Sequence, residues 1–240
     1  MVAHPAASES APMSTPLPPG EQQAAFLDRI SRALGRTGPT VQPPPAPLVD
    51  EGVVRLVPRS ADLLGVFAST AVAAGMVVHR TVAAHVPRCV SALAVDLKLR
   101  KAAAADDPYL QDASIGLTAA GVVLEQWRRC RGLEGLYGVD AGLTAVHAAI
   151  AETGSLVCGS MPGRGLSLVP PVHIAVVRRS QILPDLVDYW ALYSGESPVH
   201  QLPSNLVFIT GPSKTADIEG VLITGVHGPR EVHIVLVEDA

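Results

Sequence analysis

The sequence predicts an α/β domain in three layers, α/β/α, with a mostly parallel sheet at its centre. Two observations carry this. Short apolar, β-branched runs recur at residues 76–78, 156–158, 174–177, 206–209 and 232–237, and helical patterns fall between some of them, as at 182–192. Alternation of this kind favours parallel strands covered on both faces. The composition agrees: 48% of the 240 residues are hydrophobic and 17% charged, enough to fill a sizeable core and too apolar for a disordered chain. Aromatics make up only 4%, so that core must be built from Val, Leu, Ile and Ala.

Taken in chain order, the first feature is proline. Eleven of the 21 prolines fall within residues 1–58. Proline fixes φ and removes a backbone donor, which favours extended, solvated chain. Residues 1–19 therefore read as a disordered tail and 37–49 as a Pro-rich linker. Between them, residues 20–36 carry Ala25, Phe26, Ile30, Ala33 and Leu34 at helical spacing. This tethered amphipathic helix either packs on its own domain or grips a partner, since an apolar stripe does not name its target. Residues 50–240 form the α/β domain. The charge-free stretch 63–78 is broken by Gly65, Ser69, Thr70 and Gly75 and is too short for a membrane span. Residues 92–105 read equally well as helix or strand. With no basic and apolar leader at the start, the expected compartment is the cytoplasm.

The net charge of −4 argues against a broadly cationic nucleic-acid or membrane binder. Cys89, Cys130 and Cys158 are odd in number and lack any C-x-x-C pair. A disulfide framework, a Cys-based zinc site and an iron–sulfur cluster are all disfavoured. No dinucleotide fingerprint follows a predicted strand. The chain is thus expected to hold no metal and no cofactor of its own.

Three polar clusters interrupt the apolar segments, each beside glycine. The first is Glu152-Thr153-Gly154-Ser155. The second is Thr210-Gly211-Pro212-Ser213-Lys214-Thr215, followed by Asp217 and Glu219. The third is Gly225-Val226-His227-Gly228-Pro229. The second resembles a phosphate loop, but a Walker A motif ending at Lys214-Thr215 needs glycine where Ser213 and Phe208 stand. A plain helix start, with Pro212 in the first turn, accounts for most of it. Asp217 and Glu219 would repel an anion and suit ligand hydroxyls, acid/base work or a divalent ion. His227, in a loop of little bulk, reads as a cleft histidine titrating near neutrality or as a turn residue without a role. Arg164, in the loop after residues 156–158, can hold a carboxylate or phosphate, or lie idle at the surface. His173 and His233 read as hydrogen-bonded structural histidines. Because α/β sheets bind ligands beyond the carboxyl ends of their strands, the clusters are expected to share one cleft there. Glu152, Asp217 and His227 are the candidate acid/base residues. Thr153, Gly154, Ser155, Arg164, Thr210, Gly211, Pro212, Ser213, Lys214, Thr215, Glu219, Gly225 and Gly228 are the candidate ligand-binding set.

Four segments, 148–155 (AAIAETGS), 168–174 (LVPPVHI), 210–219 (TGPSKTADIE) and 225–229 (GVHGP), resemble in order and spacing the successive signatures of the LutC/YkgG family, whose members carry the LUD, or lactate utilisation, domain. The helix and Pro-rich link at the start resemble the family's beginning. The resemblance implies a fold of the NagB/RpiA/CoA-transferase-like group. It also implies a role in oxidising L-lactate to pyruvate alongside two iron–sulfur partner proteins, whose clusters carry the electrons. Three readings stay open: a non-redox subunit of that system binding a small carboxylate or phosphorylated ligand; a stand-alone isomerase, transferase or ligase acting on a phosphorylated or CoA-linked metabolite; and a metabolite-sensing or assembly module.

Overall fold

The computed structural model describes residues 19–36, 50–127, 135–159, 164–193, 205–215 and 223–240. The chain divides into two units, residues 1–49 and 50–240. In the first, the described element is helix α1 (Pro19–Ala33), on which Phe26, Leu27 and Ile30 are exposed. The expected linker, and the expected tail up to residue 18, lie outside the described residues.

The second unit carries helices α2 (Glu51–Val54), α3 (Leu63–Ala73), α4 (Val86–Asp96) and α5 (Gln111–Ala119). Its main sheet has six strands in the order β1 (Val77–Thr81), β12 (Glu231–Val237), β7 (Val172–Arg178), β4 (Ala141–Ala145), β2 (Lys101–Ala104), β3 (Val123–Gln126). Every neighbouring pair is parallel. A second, mixed sheet runs β8 (Ile182–Leu183), β5 (Ala148–Ile150), β6 (Ser155–Gly159), β9 (Leu206–Ile209). A two-stranded ribbon pairs β10 (Lys214–Thr215) with β11 (Ile223–Thr224).

The strand period of two sorts the main sheet's side chains between two cores. On one face Val235 and Val237 of β12 pack with Val90 and Leu93 of α4 and Leu117 of α5. On the other, Val232, Ile234 and Leu236 meet Leu64, Phe67 and Ala71 of α3 and Leu156 and Cys158 of β6. The three layers are therefore α4 and α5, the parallel sheet, and a third layer in which α3 is joined by the smaller sheet. That third layer is largely β because the chain leaving β4 returns at once as the hairpin β5–β6, apolar on both sides. Ala149 and Leu156 face α3, while Ile150 and Val157 pack on Tyr189.

The structure alters three local expectations. Residues 182–192 are not one helix: Ile182–Leu183 is strand β8, and the helix is confined to Leu186–Ala191. Pro184 disfavours helix at the residue before it, and Asp185 caps the new start, accepting the Asp188 N–H at 3.0 Å. The ambiguous stretch 92–105 divides into the end of α4 and β2. Lys98, at φ 54°, turns the chain between them, with Leu99 N–H bonded to Ala94 O and Lys98 N–H to Val95 O in a Schellman arrangement. Residues 210–215 do not open a helix at Pro212, because Lys214–Thr215 pairs as β10; residues 216–219 lie outside the described residues. Among the described residues no helix is long and apolar enough to cross a membrane.

Candidate functional site

The Gly-flanked clusters meet at the amino-terminal edge of the parallel sheet, on the loops that lead into β1 and β12. The turn from β5 to β6 comes first. Gly154 sits at φ 68°, and a Cβ there would collide with the backbone of Thr70 and Ala71 on α3. The Thr70 hydroxyl donates to the Ala151 carbonyl at 2.8 Å, pinning the turn to that helix. The turn aims Thr153 at Ser155 (Oγ1 to Oγ, 2.7 Å), and Ser155 at Thr210 (Oγ to Oγ1, 2.7 Å). Three hydroxyls thus form one row linking the first cluster to the second, with Thr153 and Thr210 exposed at its ends.

After Thr210 the chain passes Gly211 at φ 108°, where a side chain would meet the Ala74 carbonyl. Lys214 folds over Gly75: its Nζ lies 3.3 Å, and Pro212 Cδ 3.6 Å, from where a Gly75 Cβ would stand. Lys214 is exposed. Backbone bonds tie the second cluster to the third: Ser213 N–H donates to Pro229 O at 2.9 Å, and Gly225 N–H to Ser213 O at 2.8 Å. Gly228 packs against Ser213, and Arg230 N–H donates to Pro171 O at 2.8 Å. Here His227 stands exposed at a cavity of about 370 Å³, with Tyr137, Leu168, Pro171, Val226 and Arg230 among its walls.

Some expected members stand apart. Glu152 is half-buried, and its backbone N–H donates to Pro184 O at 2.9 Å, but no described hydrogen bond joins its carboxylate to His227. Arg164 is exposed and opens a 3-10 turn (Arg164–Ser167) whose Ser167 hydroxyl donates back to the Arg164 carbonyl. Asp217 and Glu219 lie outside the described residues. Thr215 sits in the ribbon, in register with Ile223. The expected cleft beyond the carboxyl ends of the main strands is displaced. Thr210 does follow β9, but β9 belongs to the smaller sheet, whose strand end reaches the opposite edge of the larger one.

Sequence spacing also concealed several groups. Tyr137 and Arg230 join the cavity through loops with no pattern of their own. His79 and His233, 154 positions apart, meet at 3.0 Å because β1 and β12 pair. His173 is buried and bonded to the Thr144 hydroxyl at 2.8 Å, and burial lowers its pKa to about 4. Burial likewise raises the Cys158 thiol to about 12 and pushes Cys89 upward, so neither is poised as a thiolate. Among the described residues no group of three His, Cys, Asp or Glu side chains is disposed to hold a metal.

The comparisons with known proteins bear on the same region. The LUD domain matches residues 128–237. Lactate utilization protein C of an Exiguobacterium strain is 42% identical over 103 residues, 42% of this chain and 45% of that protein. Lactate utilization protein C of Halalkalibacterium halodurans is 26% identical over 227 residues, 91% of this chain and 99% of that protein. Relatives from Bacillus mycoides and a Geobacillus strain match over 44% and 43% of their length, so the chain spans about half of several curated relatives and nearly all of one. The crystal structure of a DUF162 family protein from Deinococcus radiodurans superposes with a TM-score of 0.55 at 25% identity, covering 75% of this chain and 99% of that one.

Proposed function

Because residues 128–237 match the LUD domain, we propose that the chain serves lactate utilisation as a subunit that holds the small carboxylate while partner proteins carry the electrons. Oxidation of L-lactate to pyruvate releases two electrons and two protons. In this reading the electrons pass to two iron–sulfur proteins in the cytoplasm, and this chain supplies the cradle. Lys214 and Arg230 attract the carboxylate. The hydroxyl row Thr153, Ser155, Thr210 meets the C2 oxygen, and His227 exchanges the proton of that oxygen with solvent.

The observation that carries the reading is the physical joining of the family's signature loops. Ser155 is bonded to Thr210, Ser213 to Pro229 and Gly225 to Ser213, so residues far apart in sequence become one surface. The test is growth on L-lactate of a host that depends on this gene, together with calorimetric titration of the purified chain with pyruvate. His227→Gln and Lys214→Ala are expected to abolish growth and weaken pyruvate binding while the melting temperature stays put. Full growth with both variants, or no pyruvate binding by the wild-type chain, overturns it.

A further inference from the structure

Two of the site's loops hang on neighbouring strands. Loop 210–214 leans on Ala74 and Gly75, which lead into β1, and loop 225–230 runs directly into β12, the parallel neighbour of β1. On the face covered by α4, these strands are stitched by side chains. His79 is in register with Val235 and His233 with Val77, so the two imidazoles are diagonal neighbours. His79 Nε2 lies 3.0 Å from His233 Nδ1, and His233 Nε2 lies 3.0 Å from Glu231 Oε2. The ring planes are within 16° and the centroids 5.3 Å apart, so the rings meet edge to edge, where the imidazole lone pair points. His233 is buried, His79 half-buried and Glu231 exposed.

The donors are forced to run one way. An ionised Glu231 only accepts, so His233 carries its hydrogen on Nε2 and presents a bare Nδ1 to an N–H from His79. One added proton, on His233 Nδ1, confronts the His79 N–H and requires His79 to shift its own hydrogen to its other nitrogen. A second added proton leaves two N–H groups opposed, and the contact must open. We propose that His79 and Glu231 are positioning residues that, acting through His233, set the spacing of the Lys214 and His227 loops according to the proton count of the β1–β12 seam. This rests on the reading of those loops as one site.

The surroundings set the direction of the response. Burial, followed by His233, pulls His79 below the ordinary imidazole range, and Asp96 at the end of α4 opposes this. Asp96 on α4 and Glu231 on β12 bear on the pair, while β7 presents Ile174 in register with His233. The stitch is closed at neutral pH and opens on acidification.

The experiment needs no ligand. In the full chain, labelled with ¹⁵N and carrying His227→Gln so that the loop's own imidazole is silent, imidazole and amide signals are followed from about pH 8 to 5. The amides of Gly211, Ser213, Lys214, Gly225 and Gly228 are expected to move with one shared midpoint, that of the His79 ring. In His79→Gln that shared movement is lost; in Glu231→Gln, where an exposed side chain is changed and folding is safe, the midpoint falls. Loop amides that stay flat in the parent, or that titrate unchanged in both variants, overturn the proposal. Loops that follow the seam in a chain that binds no pyruvate uphold it while the function proposed above fails.

Discussion

The two edges of the parallel sheet are built differently. At the carboxyl edge, polar side chains hold the crossovers. The Arg178 guanidinium lies 3.8 Å from the Tyr109 ring centre, and the Arg178 N–H donates to Gln181 Oε1 at 2.9 Å. Gln181 in turn donates to the Val146 carbonyl at 2.6 Å, Asp239 accepts from Ala83 N–H at 2.7 Å, and Arg80 pairs with Glu238. At the amino edge backbone packing does most of the holding, joined by the Thr70 hydroxyl on Ala151 O and the Ser155–Thr210 bond. Gly75, Gly154, Gly211 and Gly225 all take positive φ, two of them where a Cβ would strike main chain, and Thr153, Thr210, Lys214 and His227 are left exposed. The usual expectation places a binding crevice at the carboxyl ends of the strands. The contrast teaches that a second sheet packed on the first delivers its own strand ends to the other side. Which edge frees its side chains depends on which edge is braced by backbone.

The sharpest way to break that contrast is to give the amino edge a side chain it has no room for. Gly154→Val combines a left-handed φ with a collision against α3, and should lower unfolding stability by about 4 kcal/mol in urea titration. A loss below about 1 kcal/mol would show that the turn is not braced by α3.

Acid should distinguish the edges next. His173, second residue of β7 and fully buried, has a folded pKa of about 4 against an ordinary 6.5. A depressed value means the folded state resists the proton. Its contribution is whole above the unfolded pKa and is lost as pH falls through the window from 6.5 to about 4, up to about 3 kcal/mol. His79 is shifted in the same direction and adds to the loss. Urea midpoints measured across that window should decline in the wild type and more gently in His173→Gln.

Smaller still is the effect on binding. Lys214→Ala and His227→Ala should each weaken pyruvate by tenfold or more, about 1.4 kcal/mol, while stability changes by less than about 0.5 kcal/mol. The carboxyl edge should answer the other way. Arg178→Ala gives up its contact with Tyr109 and should cost about 1 kcal/mol of stability with pyruvate affinity unchanged. If Arg178→Ala also weakens pyruvate, the division of labour between the edges is wrong.

These outcomes bear on how much the sequence discloses. Strands rich in Val, Leu and Ile were legible, β9 to its ends and β1, β6, β7 and β12 to within a few residues. β2 and β4 were not, because Lys101–Ala104 and Ala141–Ala145 consist largely of small residues of weak strand preference. Gly142 shows why such residues are there, since a Cβ would run into the Leu166 carbonyl. In the site, the glycine-flanked clusters stood out one by one. The bond from Ser155 to Thr210 and the imidazole pair did not, because each depends on tertiary pairing across 55 and 154 positions. The edge on which the clusters gather was hidden for a similar reason: it follows from the direction of β9, a strand of the second sheet.

The row Thr153–Ser155–Thr210 has one more consequence. Each hydroxyl is a rotor that gives one hydrogen and takes another, so a row of three has two self-consistent arrangements that interconvert when every rotor turns together. In one arrangement the Thr210 end offers a hydrogen outward; in the other it offers a lone pair. An alcohol and the ketone made from it differ at the reacting oxygen in this respect: the alcohol brings a hydrogen and the ketone needs one. Under the proposed function, such a row would meet both partners of that redox couple with no heavy atom displaced, favouring neither direction and leaving the driving force to whatever takes the electrons.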